Sequence, residues 1–324
     1  MKNNVLFNII ITILLAFKVN SFVYFSFANT YSSSILNHQT FSEQFQSGIY
    51  QYRVLSGYLL MWIYDVLSTL HINYDIFKLK FIDANSEPQM FLSFYLLNTF
   101  FLVLSVVMMN LITETKAFVA TSKEKLLLVT TATILIVLSQ FVLVPYDCSS
   151  YFLLLLFFYL LIKYIEKPST KHLSYLGLIL FVSTLNRESS ALSISLAASL
   201  LYSKNQLKKE TLFPVGFLAG IFVLTYLGLR FSSENFTTND GNLLLENLTQ
   251  PKNILGFLFW IVCYLLSLFL CKSQTQMKYV NIFHIFALPY ILMCFYTGIL
   301  YEIRLYIPLF ITSLFLTQIE FEKK

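Results

Sequence analysis

The stretch Leu173–Tyr202, LSYLGLILFVSTLNRESSALSISLAASLLY, places two adjacent charges, Arg187 and Glu188, in the middle of an apolar region. Charge is costly in a lipid-facing helix, so an ionisable pair there is a functional-site hypothesis by default. At 1.5 Å per residue the apolar arms on either side reach only about 18–20 Å each, short of the roughly 30 Å hydrocarbon core. The turn between them is expected to lie below the membrane surface, in a cavity wall. The alternative is an ordinary interfacial hairpin.

The composition of the whole chain indicates a membrane protein. Of its 324 residues 57% are hydrophobic and only 12% charged, whereas soluble domains carry about 25% charged residues. The apolar runs are continuous, which favours helices over the alternating strands of a β-barrel. The net charge of +5 comes mainly from residues in the loops between these runs, so it gives no indication of nucleic-acid binding. The predicted fold is an all-α, polytopic transmembrane bundle, with residues 1–324 forming a single domain.

Ten apolar segments are expected to span a bilayer, since each can supply much of the roughly 20-residue helix that crossing requires. The predicted spans are Val5–Phe27, Met90–Ile112, Leu126–Val144, Tyr151–Ile165, Leu173–Leu185, Ala191–Tyr202, Leu212–Gly228, Ile254–Leu270, Ile282–Tyr296 and Leu305–Gln318.

The lysines set the orientation, because short loops rich in Lys and Arg stay in the cytoplasm. From residue 113 onward every second loop carries lysines, and 14 of the 18 lysines fall on that side. Both termini are then cytoplasmic. Residues 28–89 form a long outer loop with an interfacial or re-entrant helix at 54–70, and residues 231–253 form a second outer loop. The alternative is a true span at 54–70, with the N-terminus outside.

The four arginines contradict the lysine pattern, because Arg53, Arg187, Arg230 and Arg304 all fall on the outer side. Arginine presents a planar array of donors that suits phosphate or carboxylate, whereas lysine acts as a point charge. The segregation indicates that the outer arginines bind an anion. The alternative is that each arginine only pairs with a nearby carboxylate.

Three carboxylates are candidate catalytic groups: Glu188 in the opening stretch, Asp147 in the turn Pro145-Tyr146-Asp147, and Glu43 in the first outer loop. Asp147 can also act simply as a helix cap. Candidate substrate-binding residues are Asn186, Tyr146 and Glu302, together with the four arginines. The turn Glu302-Ile303-Arg304 precedes the last apolar segment, and its two charges can also form a simple ion pair.

The four cysteines, Cys148, Cys263, Cys271 and Cys294, form no CxxC pair. They are interpreted as apolar packing residues, since neither a disulfide framework nor a zinc spacing is present. No nucleotide-binding glycine loop or HExxH motif occurs. We therefore predict no metal site and no cofactor.

The motifs Gln51-Tyr52-Arg53, Tyr146-Asp147, Thr184-Leu185-Asn186-Arg187-Glu188 and Glu302-Ile303-Arg304-Leu305 resemble those of bacterial membrane proteins of surface-polysaccharide assembly. The layout over the whole chain also resembles the GT-C class of glycosyltransferases, which take a sugar from a polyprenyl-phosphate carrier. That class carries an acidic residue soon after the first helix, whereas the first here is Glu43. A second resemblance is to polysaccharide polymerases and ligases of the same pathways.

These resemblances imply a membrane glycosyltransferase whose partners are a polyprenyl-phosphate-linked sugar and the lipid bilayer. Arg187 and Arg304, with Arg53 and Arg230, would hold the phosphate, and one of the three carboxylates would activate the acceptor hydroxyl. The alternatives are a polysaccharide polymerase or ligase, a transporter or flippase of lipid-linked glycan, and a non-catalytic scaffold.

Overall fold

The computed structural model describes residues 2–28, 33–70, 72–74, 81, 83–233, 236–238 and 241–321. The described part of the chain is all-helical, as the sequence predicted, with an isolated bridge between Phe118 and Ile319. Its α-helices are α1 (Lys2–Val23), α2 (His38–Phe45), α3 (Val54–Thr69), α4 (Pro88–Thr113), α5 (Ser122–Leu138), α6 (Asp147–Glu166), α7 (Thr170–Asn186), α8 (Ala191–Asn205), α9 (Lys209–Phe231), α10 (Leu244–Thr249), α11 (Pro251–Leu270), α12 (Gln274–Phe286), α13 (Leu288–Thr297) and α14 (Ile307–Leu316).

Six of these helices are long and apolar enough to cross a membrane, and the bent pair α12–α13 makes up to seven. A multi-pass membrane protein is therefore confirmed, whereas the predicted count of ten spans is not. The difference lies in α7, α8 and α14, which have 17, 15 and 10 residues. Helices α7 and α8 are nevertheless longer than the apolar arms predicted for them, because α7 begins before its first apolar residue and α8 continues past its last one, each at its lysine-bearing end.

The core of the bundle surrounds α6, whose apolar window is 72% buried. Helices α4 and α7 pack on its two sides, and α14, every residue of which is buried, contacts α5, α11 and α12. Helices α1, α9 and α11 lie at the periphery, with 11–22% of their windows buried. Their exposed apolar faces are what a lipid-facing helix requires.

The arginines lie at the opposite end of the bundle from most of the described lysines, although Lys252 lies at the arginine end, 4.9 Å from the Tyr301 ring centroid. The first residue of α6, Asp147, contacts two arginines, whereas Lys163 pairs with Glu166 at the end of the same helix. Twenty residues of helix separate these ends by about 30 Å. At the lysine end, Lys125 pairs with Glu114 at 2.9 Å. Of the lysines counted in the sequence, Lys78, Lys80, Lys323 and Lys324, and the side chain of Lys2, lie outside the described residues.

Helix α3, the predicted interfacial helix, runs alongside the first part of α4. Near its start, Ser56 bonds Ser149 of α6, and farther along it the Tyr64 carbonyl accepts a hydrogen bond from Gln89 of α4 at 3.0 Å. Asn98, ten residues after the first residue of α4, donates to the Val144 carbonyl. The start of α6 therefore lies about 15 Å along α4 from its first residue, so the turn that precedes α6 is recessed into the bundle.

Gly256 of α11 packs directly against the backbone that leads into the Glu302 turn. A Cβ atom at Gly256 would collide with the Leu300 carbonyl and lie 2.7 Å from the Tyr301 Cα. We expect Gly256→Ala to lower the free energy of unfolding by about 1–3 kcal/mol, because backbone atoms cannot move aside as a side chain can. Gly220→Ala is the control, since Gly220 in α9 has open space around it. Titration with denaturing detergent measures the free energy of unfolding of each variant. Equal values for both variants and the wild type would contradict the contact.

Candidate functional site

The four arginines, which are far apart in the sequence, converge at one end of the bundle. They share three carboxylates, Asp147, Glu188 and Glu302. The arginines come from four elements: the turn before α3, the end of α7, the end of α9 and the turn before α14. We refer to these seven side chains as the arginine cluster.

Asp147 is the buried centre of one half of the cluster. Its carboxylate is fully inaccessible, with Oδ1 bonded to Arg187 and Oδ2 3.5 Å from Nη1 of Arg304. Arg304 also contacts Glu302 at 2.7 Å. Because two guanidinium groups enclose Asp147, this carboxylate holds Arg187 and Arg304 in place and does not line either of the cavities described below.

Glu188 is the centre of the other half. Its Oε2 lies 3.3 Å from Nε of Arg53, and its Oε1 lies 3.4 Å from Nη2 of Arg230. Unlike Asp147, its side chain keeps 16% of its surface accessible. Burial by itself raises the pKa of the Glu188 carboxyl, but the Arg53, Arg187 and Arg230 guanidinium groups bring that pKa below its ordinary value. Glu188 is therefore a carboxylate at neutral pH.

Tyr146 connects the two halves of the cluster through its aromatic ring. The ring centroid lies 4.3 Å from the guanidinium carbon of Arg53 and 5.3 Å from that of Arg187. Cations are attracted to the face of an aromatic ring, so Tyr146 orients both arginines without neutralising them. Arginine rather than lysine suits these positions, because its planar group stacks and bonds carboxylates at the same time.

Asn186 fixes the turns from which these groups project. Its amide donates to the Tyr146 carbonyl at 3.1 Å and to Ser150, and its carbonyl oxygen accepts from Ser56 and Ser149. With its side chain fully buried and bonded on both sides, Asn186 joins α3, α6 and α7. Direct substrate binding by Asn186, predicted from the sequence, is untested, and the geometry gives it a positioning role.

Arg230 is the most enclosed of the arginines, at 1% accessible. It donates to the Thr237 carbonyl at 3.1 Å and to the Tyr226 carbonyl, and its guanidinium carbon lies 3.5 Å from the Tyr226 ring centroid. These partners hold Arg230 against Glu188, so we interpret Arg230 as a residue that positions Glu188. Thr237 belongs to the predicted second outer loop, which folds back onto the cluster.

Two cavities adjoin the cluster. The polar cavity, of about 240 Å³, lies between residues 34–57 and the segment before α6, and Arg53, Tyr146 and Arg304 line it. The apolar cavity, of about 280 Å³, is lined mainly by α9 and α13 and has Glu188 and Arg53 at its polar end. Arg53 is thus common to both cavities.

Glu43 is the candidate carboxylate that the structure does not bring to the cluster. It lies exposed on α2, where it accepts a hydrogen bond from Gln39 at 3.0 Å. Its helix neighbours Phe41, Gln44 and Phe45 line the polar cavity in its place. The α2 register therefore turns Glu43 away from the cavity.

Sequence analysis missed the small polar residues that support the site. Ser56 and Ser149 bond Asn186, and Tyr52 lies under Arg230, with its hydroxyl accepting a hydrogen bond from the Thr237 amide. Hydroxyl residues are common in membrane helices, so nothing in their type marked them. The motif Gln51-Tyr52-Arg53 had singled out Tyr52 without indicating its partner.

The cluster carries a surplus positive charge, since four guanidinium groups face three carboxylates. An uncompensated buried charge is costly, which favours binding of an anion where the arginines line a cavity, at Arg53 and Arg304. Within the described residues no group of three or more His, Cys, Asp or Glu side chains is placed to hold a metal ion.

Comparison of the chain with protein-family models, curated proteins and solved structures gives no match. The function is therefore inferred from the geometry of the site.

Proposed function

We propose that the chain is a glycosyltransferase of a bacterial inner membrane that uses a polyprenyl-phosphate-linked sugar in cell-surface polysaccharide assembly. The observation that carries this proposal is the arginine cluster, in which a surplus positive charge and a partly accessible carboxylate meet between a polar and an apolar cavity. Such a site suits a substrate with an anionic centre, a sugar and an apolar tail.

In the proposed topology the chain crosses the membrane ten times, with both termini in the cytoplasm. The arginine end of the bundle then faces outward, and the lysine end faces the cytoplasm, where lysine-rich loops remain. Helix α3 and the other described residues between 28 and 89 lie over the outer half of the bundle. The separation of arginines and lysines along α6 supports this orientation.

The proposed reaction is transfer of a glycosyl group to an acceptor hydroxyl. The hydroxyl oxygen forms a bond to the anomeric carbon, and the bond from that carbon to the lipid phosphate oxygen breaks. The phosphate leaves with the bonding electron pair, and the hydroxyl proton passes to a carboxylate. Arginine donors stabilise the charge that develops on the leaving phosphate.

The geometry distributes these tasks among the predicted residues. Arg53, which lines both cavities, is placed to bind the phosphate, and Arg304 is placed to bind substrate in the polar cavity. Glu188, the partly accessible carboxylate, is the proposed general base, and Asp147 and Arg230 are positioning residues because their partners enclose them. Glu302 orients Arg304 through the 2.7 Å ion pair.

The test is an assay with the purified chain in detergent, supplied with undecaprenyl-phosphate-linked sugars and acceptor glycans. We expect wild-type protein to release undecaprenyl phosphate and to increase the mass of the acceptor. Arg187→Ala should abolish that output, because Arg187 bonds Asp147 and lies over Tyr146. Lys171→Ala, at the other end of the same helix α7, is the control and should keep full output.

Two results would refute the glycosyltransferase: no consumption of any lipid-linked sugar by the wild type, or normal glycan output from Arg187→Ala at normal expression. Movement of lipid-linked sugar across vesicle membranes without its consumption would instead favour the transporter. Lengthening of the acceptor by repeat units would favour the polymerase.

A further inference from the structure

Arg53 forms the partition between the polar and the apolar cavity. Its guanidinium group faces Glu188 at 3.3 Å on one side and the rings of Tyr50 and Tyr146 on the other. Of the cluster, Arg53 alone lines both cavities, whereas Arg304 lines the polar cavity and Glu188 the apolar one. A change in the position of the Arg53 side chain would therefore alter both cavities together.

The apolar cavity fits the end of an isoprenoid chain that adjoins a phosphate. Its apolar wall is formed by Ala191, Phe222, Pro289, Tyr290 and Met293, and its polar end by Arg53 and Glu188. A volume of about 280 Å³ is near the lower limit of small-molecule sites, roughly 300–1,000 Å³. The cavity can thus hold the first part of a lipid, and the rest of the lipid extends into the bilayer.

We propose that Arg53 leaves Glu188 and binds the phosphate of a prenyl phosphate lodged in the apolar cavity, which uncovers Glu188 to the acceptor in the polar cavity. This exchange rests on the proposed function, because it assigns the lipid and the acceptor of that reaction to separate cavities. The phosphate becomes the new partner of Arg53, so the buried charge of Arg53 stays compensated.

Arg53 is the arginine most suited to such an exchange. Its single carboxylate contact, 3.3 Å long, is made through Nε, and aromatic rings face the rest of its guanidinium group. Arg304 contacts two carboxylates, and Arg230 contacts Glu188 and two backbone carbonyls. Phosphate offers Arg53 a bidentate, charge-assisted bond, which is stronger than the single contact it replaces.

Glu188 keeps its position after the exchange, because Arg230 still holds its other oxygen. It loses one of its two ion-pair partners, and a carboxylate with fewer positive neighbours is a stronger base. Lipid binding and activation of the base are thereby linked through one side chain.

The test measures binding of farnesyl phosphate and of inorganic phosphate to the purified chain by calorimetry, with no turnover required. We expect Glu188→Gln to bind farnesyl phosphate about tenfold more tightly than the wild type, because Arg53 no longer has to leave a carboxylate. Arg53→Met should bind it at least about tenfold more weakly. Equal or weaker binding by a folded Glu188→Gln protein would overturn the exchange.

Two neighbouring residues of α13 test the apolar cavity. Met293 lines the cavity, whereas the adjacent Leu292 is 58% exposed at the periphery. Met293→Trp should weaken farnesyl phosphate binding about tenfold and leave inorganic phosphate binding unchanged, and Leu292→Trp should change neither. Unaltered farnesyl phosphate binding by Met293→Trp, or an equal loss for both ligands, would overturn the assignment of the lipid to this cavity.

The comparison of ligands separates a lipid phosphate from a free one. Farnesyl phosphate should bind the wild type more tightly than inorganic phosphate, because its chain buries apolar surface. Equal affinities would show a site for free phosphate and overturn the lipid assignment. If Glu188→Gln binds farnesyl phosphate more tightly but the wild type transfers no sugar, the glycosyltransferase alone is refuted. If the wild type transfers sugar but Glu188→Gln binds farnesyl phosphate no more tightly than the wild type does, the exchange alone is refuted.

Discussion

Replacement of Asp147 by Ala is expected to lower the free energy of unfolding by about 3–5 kcal/mol, because it leaves buried guanidinium charge without a partner. Asp147 is inaccessible and contacts both Arg187 and Arg304. Arg304 retains Glu302 in the variant, whereas the bond from Arg187 to Asp147 is lost. Titration of the purified protein with denaturing detergent, followed by circular dichroism, measures the loss.

Glu114→Ala is the control for this experiment. Glu114 also pairs with one cation, Lys125, but the two side chains are 33% and 20% accessible. An accessible ion pair contributes about 1 kcal/mol or less, so this variant should unfold nearly as the wild type does. If Asp147→Ala lost no more stability than Glu114→Ala, the cluster would not be organised around Asp147.

Glu188→Gln is expected to lower kcat for glycosyl transfer by about 10²–10⁴-fold, the usual contribution of a general base. Glutamine keeps the shape of the side chain, and its single carbonyl oxygen can still accept the hydrogen bond from Arg230, so the protein should stay folded. Single-turnover assays with saturating lipid-linked sugar measure the loss. Glu43→Gln is the matched control, since Glu43 is exposed and bonded to Gln39. A kcat unchanged by Glu188→Gln but reduced by Glu43→Gln would transfer the catalytic role to Glu43.

The pH dependence of the same assay gives an independent check on Glu188. Its carboxyl is faced by Arg53, Arg187, Arg230 and Tyr226, and the arginines place its pKa below the ordinary value in the free protein. Activity that needs the carboxylate should fall only as the pH drops through that lowered pKa. If Arg53 moves away, the acid limb of kcat should lie at higher pH than that of kcat/KM, because the two report the bound and the free protein.

Much of the site could be predicted from the sequence because the charges of this chain are sparse. All four arginines fall on one side of the pattern of alternating lysine-rich loops, and in the structure they do lie together. Their pairing could not be predicted, because it depends on how α3, α7 and α9 pack around α6. Neither periodicity nor composition specifies which guanidinium reaches Asp147 and which reaches Glu188.

The helix lengths and Glu43 show where the sequence was insufficient. The apolar runs are shorter than the helices, because α7 begins and α8 ends in polar residues. A hydrophobic pattern marks the lipid-exposed or buried part of a helix rather than its hydrogen-bonded end. Glu43 was selected as an acidic residue of the first outer loop. Which side of α2 faces the polar cavity depends on the contacts of Phe41 and Phe45, and these contacts turn Glu43 outward.

The complete burial of α14 has a consequence for the synthesis of the protein. Helices α5, α11 and α12 contact α14, yet they are synthesised before it. Domains form from the N-terminal side as the chain emerges, at about 5–20 residues per second. Until the ten residues of α14 have been made, the surfaces of these helices that pack on it therefore lack the helix that buries them.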